Sequence, residues 1–298
     1  MKVAVVGLGL IGCSLAKDMR RLFGVNRFIG SDINDKHCQI AKELGIIDEI
    51  VHLDDAVSES DLVLVSTPVD VTMRVLPEIL DKIGSGTTVM DVGSTKSAIC
   101  ELLAKHKNRK NFVATHPMSG TENSGPCAAI DGLFDGKIAI ICDHELSSPQ
   151  HVALVEKMYG RIGCRVAYMS SDEQDHTTAY VSHLPHALAY ILANTVLGNE
   201  DRKVIVDLAS GGFHSAARLA KTTASMWTPI FGQNKKYISE ALEKYINLIT
   251  EFKSVIDNDD YDRLNDIITT ASTIREVLDG EASDMIKDEE KIIKLYNK

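Results

Sequence analysis

Short, unbroken apolar runs alternate with segments of helical length over the first 170 residues. The runs are Val3–Val6, Phe28–Ser31, Leu62–Ser66, Thr88–Asp91, Phe112–Thr115, Ile138–Cys142 and Val166–Tyr168. Several are rich in β-branched residues without polar alternation, which predicts strands covered on both faces. Ser14–Leu22, Lys36–Leu44 and Lys96–Lys105 are among the helical segments between them. Strands alternating with helices predict right-handed crossovers and a parallel, doubly wound α/β sheet.

From about Ser171 the pattern becomes helical only. Tyr180, Leu184, Leu188, Ile191, Leu192 and Thr195 mark one apolar stripe. Ile238, Leu242, Tyr245, Ile246, Ile249, Phe252 and Ile256 mark a second, and Leu264, Ile267, Ile268, Ala271, Ile274 and Leu278 a third. Spacings of three and four put each set on one helical face, which needs a neighbouring helix or a partner chain to cover it. The pattern divides the chain into an α/β domain over 1–170 and an all-α domain over 171–298, the latter expected to form a homodimer. Glu281–Lys298 is charged around Ile292, Ile293 and Leu295 and reads as a docked helix or a frayed tail.

Composition narrows the classes. A formal charge of −10 with no long Lys/Arg run argues against a nucleic-acid partner. The opening apolar run is too short for a membrane span, and no small-residue cleavage site follows it, so no membrane partner is expected. Six scattered cysteines without a C-x-x-C pair fit small buried hydrophobes in a reduced, cytoplasmic setting, with no metal expected.

Chemistry begins directly after the first strand. Gly7-Leu8-Gly9-Leu10-Ile11-Gly12 forms a G-x-G-x-x-G turn that opens a helix. Gly7 permits the tight turn, Gly9 lets the backbone approach a pyrophosphate, and Gly12 allows close helix–strand packing. The helix N-terminus adds free N–H groups and partial positive charge. Asp32 follows at the end of the second strand, placed to accept both ribose hydroxyls and to favour NAD over NADP. Its alternative is a solvated turn residue. Strand, glycines, helix and acid in register point to a Rossmann-type NAD site. Ser66-Thr67-Pro68 ends the fourth strand at the ligand-binding edge, where its hydroxyls either touch the cofactor or cap the next helix.

A second set of residues suits proton and substrate handling. Phe112–Thr115 ends in His116-Pro117-Met118-Ser119-Gly120-Thr121-Glu122, which places His116 at the same edge, where a pKa near 6.5 matches proton transfer. A histidine packed to hold the turn is the alternative. Ser94, in Gly93-Ser94-Thr95-Lys96, offers a neighbouring hydroxyl. Ser182-His183-Leu184-Pro185-His186 sets a proline inside an apolar helical pattern, where a lost backbone bond costs about 3 kcal/mol and needs a local reason. Arg218, in Gly211-Gly212-Phe213-His214-Ser215-Ala216-Ala217-Arg218, is suited to a bidentate carboxylate contact.

At these residues the chain resembles the prephenate/arogenate dehydrogenase family of tyrosine biosynthesis. Gly7–Ser14, Gly93–Lys96, His116–Gly125, Ser182–His186 and Gly211–Ala220 are similar to its successive motifs, in order. The resemblance runs from about Lys2 through the third helix, with no regulatory or chorismate-mutase extension expected. It implies His116 as the acceptor for the ring C4 hydroxyl, with Ser94 sharing that hydroxyl and orienting the ring. It further implies substrate binding by His183 and Arg218, a mouth lined by Thr121 and Glu122, and a pocket wall at Trp227. Family members often carry an arginine where this chain has His214, which leaves prephenate and arogenate both open as substrate, prephenate being favoured. Rival readings are a β-hydroxyacid-type dehydrogenase, whose lysine would be Lys221, and a non-catalytic NAD sensor.

Overall fold

The computed structural model describes residues 1–280 of the 298; Glu281–Lys298, expected to be a docked helix or a tail, lies outside the described residues. The chain forms two compact units, Met1–Asn234 and a second that begins at Lys235.

The first unit opens with β1 (Lys2–Val6), α1 (Leu10–Asp18), β2 (Arg27–Ser31), α2 (Asp35–Glu43), β3 (Glu49–Ile50), α3 (Leu53–Ser58), β4 (Leu62–Val65) and α4 (Val69–Lys82). It continues with β5 (Thr88–Asp91), α5 (Ser97–Leu103), β6 (Phe112–Pro117), β7 (Ile138–Cys142), α6 (Pro149–Arg161) and β8 (Arg165–Met169). Helices α7 (Ser171–Thr178), α8 (Leu184–Asn199), α9 (Arg202–Leu208), α10 (Gly211–Ala217) and α11 (Ala224–Gln233) complete it. Residues 171–234 thus share a unit with the sheet, and α7 lies against α5 and β7.

One eight-stranded sheet runs β3-β2-β1-β4-β5-β6-β7-β8. Its apolar runs alternate between two faces: Val3 and Val5 join a core with Leu15, Val155 and Met158, while Ala4 and Val6 join another with Leu76, Ile79 and Ile99. Helices therefore cover both faces, as the unbroken hydrophobic strands require. The chain order reverses between β1 and β4, and ligands of such sheets bind outside the carboxyl ends at that point.

The sheet departs from expectation at one step: β7 pairs antiparallel to β6, with Ala114 opposite Cys142 and Pro117 opposite Ala139. No α-helix lies between these strands, so the chain turns back along the neighbouring edge instead of crossing over. The connecting segment is tied to α1, where the Ser14 hydroxyl accepts from Ile130 N–H at 3.0 Å and Asp18 accepts from Gly132 N–H at 2.8 Å. This holds the loop that follows His116.

The stripe from Tyr180 to Thr195 is not one helix. A π-type turn at Ala179–His183 separates α7 from α8. Pro185 lies in the first turn of α8, directly after the π-type turn, whose wider ring accommodates a residue with no N–H to donate. That is the local reason the proline needed.

The second unit holds α12 (Lys235–Asp257) and α13 (Tyr261–Ser272). Asp260 caps α13 by accepting from Arg263 N–H at 3.0 Å, and Arg263 pairs with Glu251 of α12. Ile274 and Leu278, expected on the third helix, fall beyond its end; a π-type turn covers Glu276–Gly280. Much of the second apolar stripe is exposed in the single chain, with Ile246, Ile249 and Ile256 each about half open. Among the described residues no helix is long and apolar enough to cross a membrane.

Candidate active site

The glycine loop is built for close backbone approach. Gly7 sits at φ +94°, and a Cβ there would lie 2.5 Å from the Ser66 carbonyl oxygen. A Cβ on Gly12 would meet the Gly7 carbonyl oxygen at 2.5 Å and Ser66 Cβ at 3.0 Å. Gly9 differs: nothing stands within 4 Å of the Cβ it lacks, so the space belongs to whatever approaches α1. Gly9 is the N-cap, its carbonyl accepts from Cys13 N–H, and the N–H groups of Leu10, Ile11 and Gly12 precede the first intrahelical bond. These residues fit a dinucleotide pyrophosphate.

Asp32 is not a solvated turn residue. One oxygen accepts from Leu8 N–H at 2.7 Å, inside the glycine loop, and the other accepts from Asn34 N–H at 2.8 Å. His37 Nδ1 lies 3.8 Å from the same carboxylate. Ser66 packs on Gly7 and Gly12, while the Thr67 hydroxyl meets that of Thr72 at 2.9 Å and Pro68 is the N-cap of α4 without a side-chain cap bond.

His116, second to last in β6, is buried. Its pKa is not near 6.5: burial, then the Lys96 ammonium and His183, push it down to about 3. The ring is therefore neutral and can act as a hydrogen-bond acceptor at physiological pH. Lys96 is fully buried and pairs with the buried Asp91, which also accepts from Gly93 N–H at 2.9 Å and Thr115 N–H at 3.3 Å. Ser94 reaches His116 indirectly: its carbonyl accepts from Gln174 Nε2 at 3.1 Å, and the same nitrogen lies 2.7 Å from His116 Nδ1. No hydrogen bond joins the Ser94 hydroxyl to the ring among the described residues.

Gln174, Asp175 and Asn234 were not singled out by the sequence. The Asp175 carboxylate accepts from Lys96 N–H at 2.8 Å and Ser97 N–H at 2.9 Å, capping α5, although burial pushes its pKa up. Asn234 Nδ2 donates to the Asp175 carbonyl at 2.6 Å and lies 3.1 Å from His183 Nδ1. The sequence signal was slight. Ser170 and Glu173 form a capping box that starts α7, and the next residues are Gln174 and Asp175.

His183 is fully buried, and its Nε2 has no hydrogen-bond partner among the described residues. Burial, with His186 adding to it, pushes its pKa down to about 4. Trp227 presents its ring edge-on to His183, at 5.8 Å, and stacks on His186 at 3.6 Å. Trp227 also packs with Val69, the first residue after Ser66-Thr67-Pro68, so α11 lies beside the cofactor edge. Arg218 NH1 is 3.5 Å from a Glu122 carboxylate oxygen, bringing together two expected site residues. The Thr121 hydroxyl accepts from Asn123 N–H at 3.2 Å. His214 is exposed on α10, and its side chain makes no hydrogen bond or ion pair among the described residues. Five of the six cysteines are buried, and burial pushes Cys13 and Cys100 up to about 12.

A doubly wound sheet whose glycine loop leaves room only at Gly9 places the protein in the class of dinucleotide-binding oxidoreductases. Two family models cover most of the chain: the nucleotide-binding domain of prephenate dehydrogenase over residues 15–168 and its dimerization domain over 170–270. The chain belongs to the prephenate dehydrogenase family. It is 30% identical over 280 residues to the prephenate dehydrogenase of Bacillus subtilis, covering 93% of this chain and 76% of that protein. The cyclohexadienyl dehydrogenase of Zymomonas mobilis is 30% identical over 273 residues, covering 88% and 90%. Among solved structures, prephenate dehydrogenase from A. aeolicus, in complex with hydroxyphenyl propionate and NAD+, superposes with a TM-score of 0.83 at 31% identity. It covers 94% of this chain and 98% of that one.

Proposed function

We propose that the protein oxidatively decarboxylates prephenate to 4-hydroxyphenylpyruvate with NAD+, in tyrosine biosynthesis in the cytoplasm. One observation carries the reading: a buried His116, with Nδ1 2.7 Å from Gln174 Nε2, lies next to the end of its strand on the same sheet edge as the glycine loop. Gly7, Gly9 and Gly12, with the N–H groups of Leu10 and Ile11, hold the pyrophosphate. Asp32 takes the ribose, and Ser66, Thr67 and Pro68 line the same edge.

Bound there, NAD+ would supply the acceptor for a hydride leaving ring C4. His116 takes a share of the C4 hydroxyl proton through a ring nitrogen lone pair, and Ser94 helps to place that hydroxyl. Loss of CO2 returns the electrons of the broken C–C bond to the ring. The proton shared with His116 ends on the product phenol, so no net proton is released. A base as weak as this buried histidine suffices for a proton that is shared rather than stored. His183 supplies a buried donor, Arg218 binds the substrate carboxylate, Thr121 and Glu122 line the mouth, and Trp227 walls the pocket. His214 meets the second acidic end weakly.

Residues 1–170 act as the NAD domain and 171–298 as the substrate and dimerisation domain. A homodimer is supported by the exposed apolar face of α12 and by Ile191 and Leu197 of α8, each more than half open. The test is NADH formation with NAD+ and either prephenate or arogenate. Turnover of prephenate is the expected result. Turnover of arogenate alone would move specificity to the surroundings of His214, and silence with both from folded, NAD-binding protein would end the reading.

A further inference from the structure

The two buried histidines are held by the same device. Gln174 Nε2 lies between His116 Nδ1 and the Ser94 carbonyl oxygen, at 2.7 and 3.1 Å. Asn234 Nδ2 lies between His183 Nδ1 and the Asp175 carbonyl oxygen, at 3.1 and 2.6 Å. A carbonyl oxygen can only accept, so the amide atom facing it is the NH2 donor. One N–H goes to the carbonyl and the other to Nδ1, which must then accept. A neutral imidazole that accepts at Nδ1 carries its proton on Nε2.

The two amides differ in their freedom. Turned over, Asn234 would set an oxygen 2.6 Å from the Asp175 oxygen, a repulsive contact, so His183 stays an Nε2–H donor. Gln174 is fully buried, and its Oε1 has no partner among the described residues. Turned over, it would lose the bond to Ser94 and set Oε1 3.1 Å from that carbonyl oxygen, a longer and milder contact than the 2.6 Å at Asn234, and present an acceptor to Nδ1. His116 would then carry its proton on Nδ1 and expose a lone pair at Nε2.

We propose that Gln174 is the positioning residue that decides which ring nitrogen of His116 carries the proton, through the orientation of its side-chain amide. The unliganded protein holds the Nε2–H form, and a substrate hydroxyl that donates to Nε2 requires the turned amide. Only this last step rests on the proposed reaction. The charged and titratable groups facing His116 are Lys96, paired with Asp91, and His183; none of them contacts Nδ1.

The experiment is NMR of the histidine ring nitrogens in the full chain, wild type and Gln174→Glu, with kcat and KM followed against pH. A carboxylate has no N–H and can only accept, so Gln174→Glu is expected to move the His116 proton to Nδ1. It should also raise the low-pH limb of kcat by about 1 pH unit or more, with KM within about twofold. Gln174→Leu, which offers neither donor nor acceptor, should give mixed tautomers and a kcat lower by about 10–100-fold. A wild-type ring already protonated on Nδ1, or the same tautomer in wild type and Gln174→Glu, would overturn the proposal. Because the tautomer is read without substrate, an enzyme inactive on prephenate and arogenate would end the functional reading and leave this result standing.

Discussion

Lowering the pH from 7 to 5 should destabilise the protein through the histidines of the site. His116 and His183 have folded pKa values pushed down to about 3 and about 4 from an ordinary 6.5, chiefly by burial. The unfolded chain therefore binds more protons throughout the window between. Stability is fully present above the unfolded pKa and is lost as pH falls toward the folded ones. At pH 5 both unfolded histidines are nearly fully charged while the folded ones stay neutral, which costs about 2 kcal/mol each and about 4 kcal/mol together. Burial also pushes down His186 and His151, in the same sense, while Asp175 is pushed up and acts in the opposite sense. The chain has one tryptophan, the buried Trp227, so urea unfolding can be followed by its fluorescence at fixed protein concentration. Wild type should lose about 4 kcal/mol more between the two pH values than a variant carrying His116→Asn and His183→Asn. An equal loss in both proteins would refute the assignment of the pH dependence to these two rings.

Gly9→Ala should leave the melting temperature nearly unchanged, since nothing crowds the added methyl, yet weaken NAD+ binding measured by calorimetry. Gly7→Ala should instead lower the melting temperature, because its methyl meets Ser66 and its backbone sits at φ +94°. Lys96→Met removes the partner of the buried Asp91 and should cost about 3–5 kcal/mol in urea unfolding; an unchanged midpoint would mean that Asp91 finds another donor. Arg218→Ala should raise the substrate KM by about 10–100-fold with little change in NAD+ affinity, and steady-state kinetics would show the reverse if Arg218 served the cofactor instead.

Strands were legible because buried parallel strands leave unbroken apolar runs, and each of the seven runs from Val3–Val6 to Val166–Tyr168 falls on a strand, Leu62–Ser66 running one residue past its end. The two-residue strand Glu49–Ile50 was not, being too short and half polar to leave a run. The first helix begins at Leu10 rather than Ser14, since the glycine loop itself carries the first turn. The antiparallel return of Ile138–Cys142 depends on what the intervening segment lacks, and apolar pattern does not report direction. Glycine loop and Asp32 could be read together because their chemistry is local in sequence. Lys96, Gln174 and Asn234 could not: a buried lysine beside Asp91, or an amide wedged between a carbonyl and an imidazole, is created only by tertiary packing.

The contact between Arg218 and Glu122 has a bearing on selectivity. The guanidinium that would receive a ligand's acid group already has a carboxylate companion from the loop after β6. An anion bound by Arg218 would take over from a tethered carboxylate, which remains nearby at high local concentration. What Arg218 would then measure is a difference between two carboxylates, not the strength of one. Weak anions lose that contest, while a ligand anchored elsewhere by a second group wins it. The internal competitor also stands ready to recapture the arginine once the acid group departs, which favours turnover over retention.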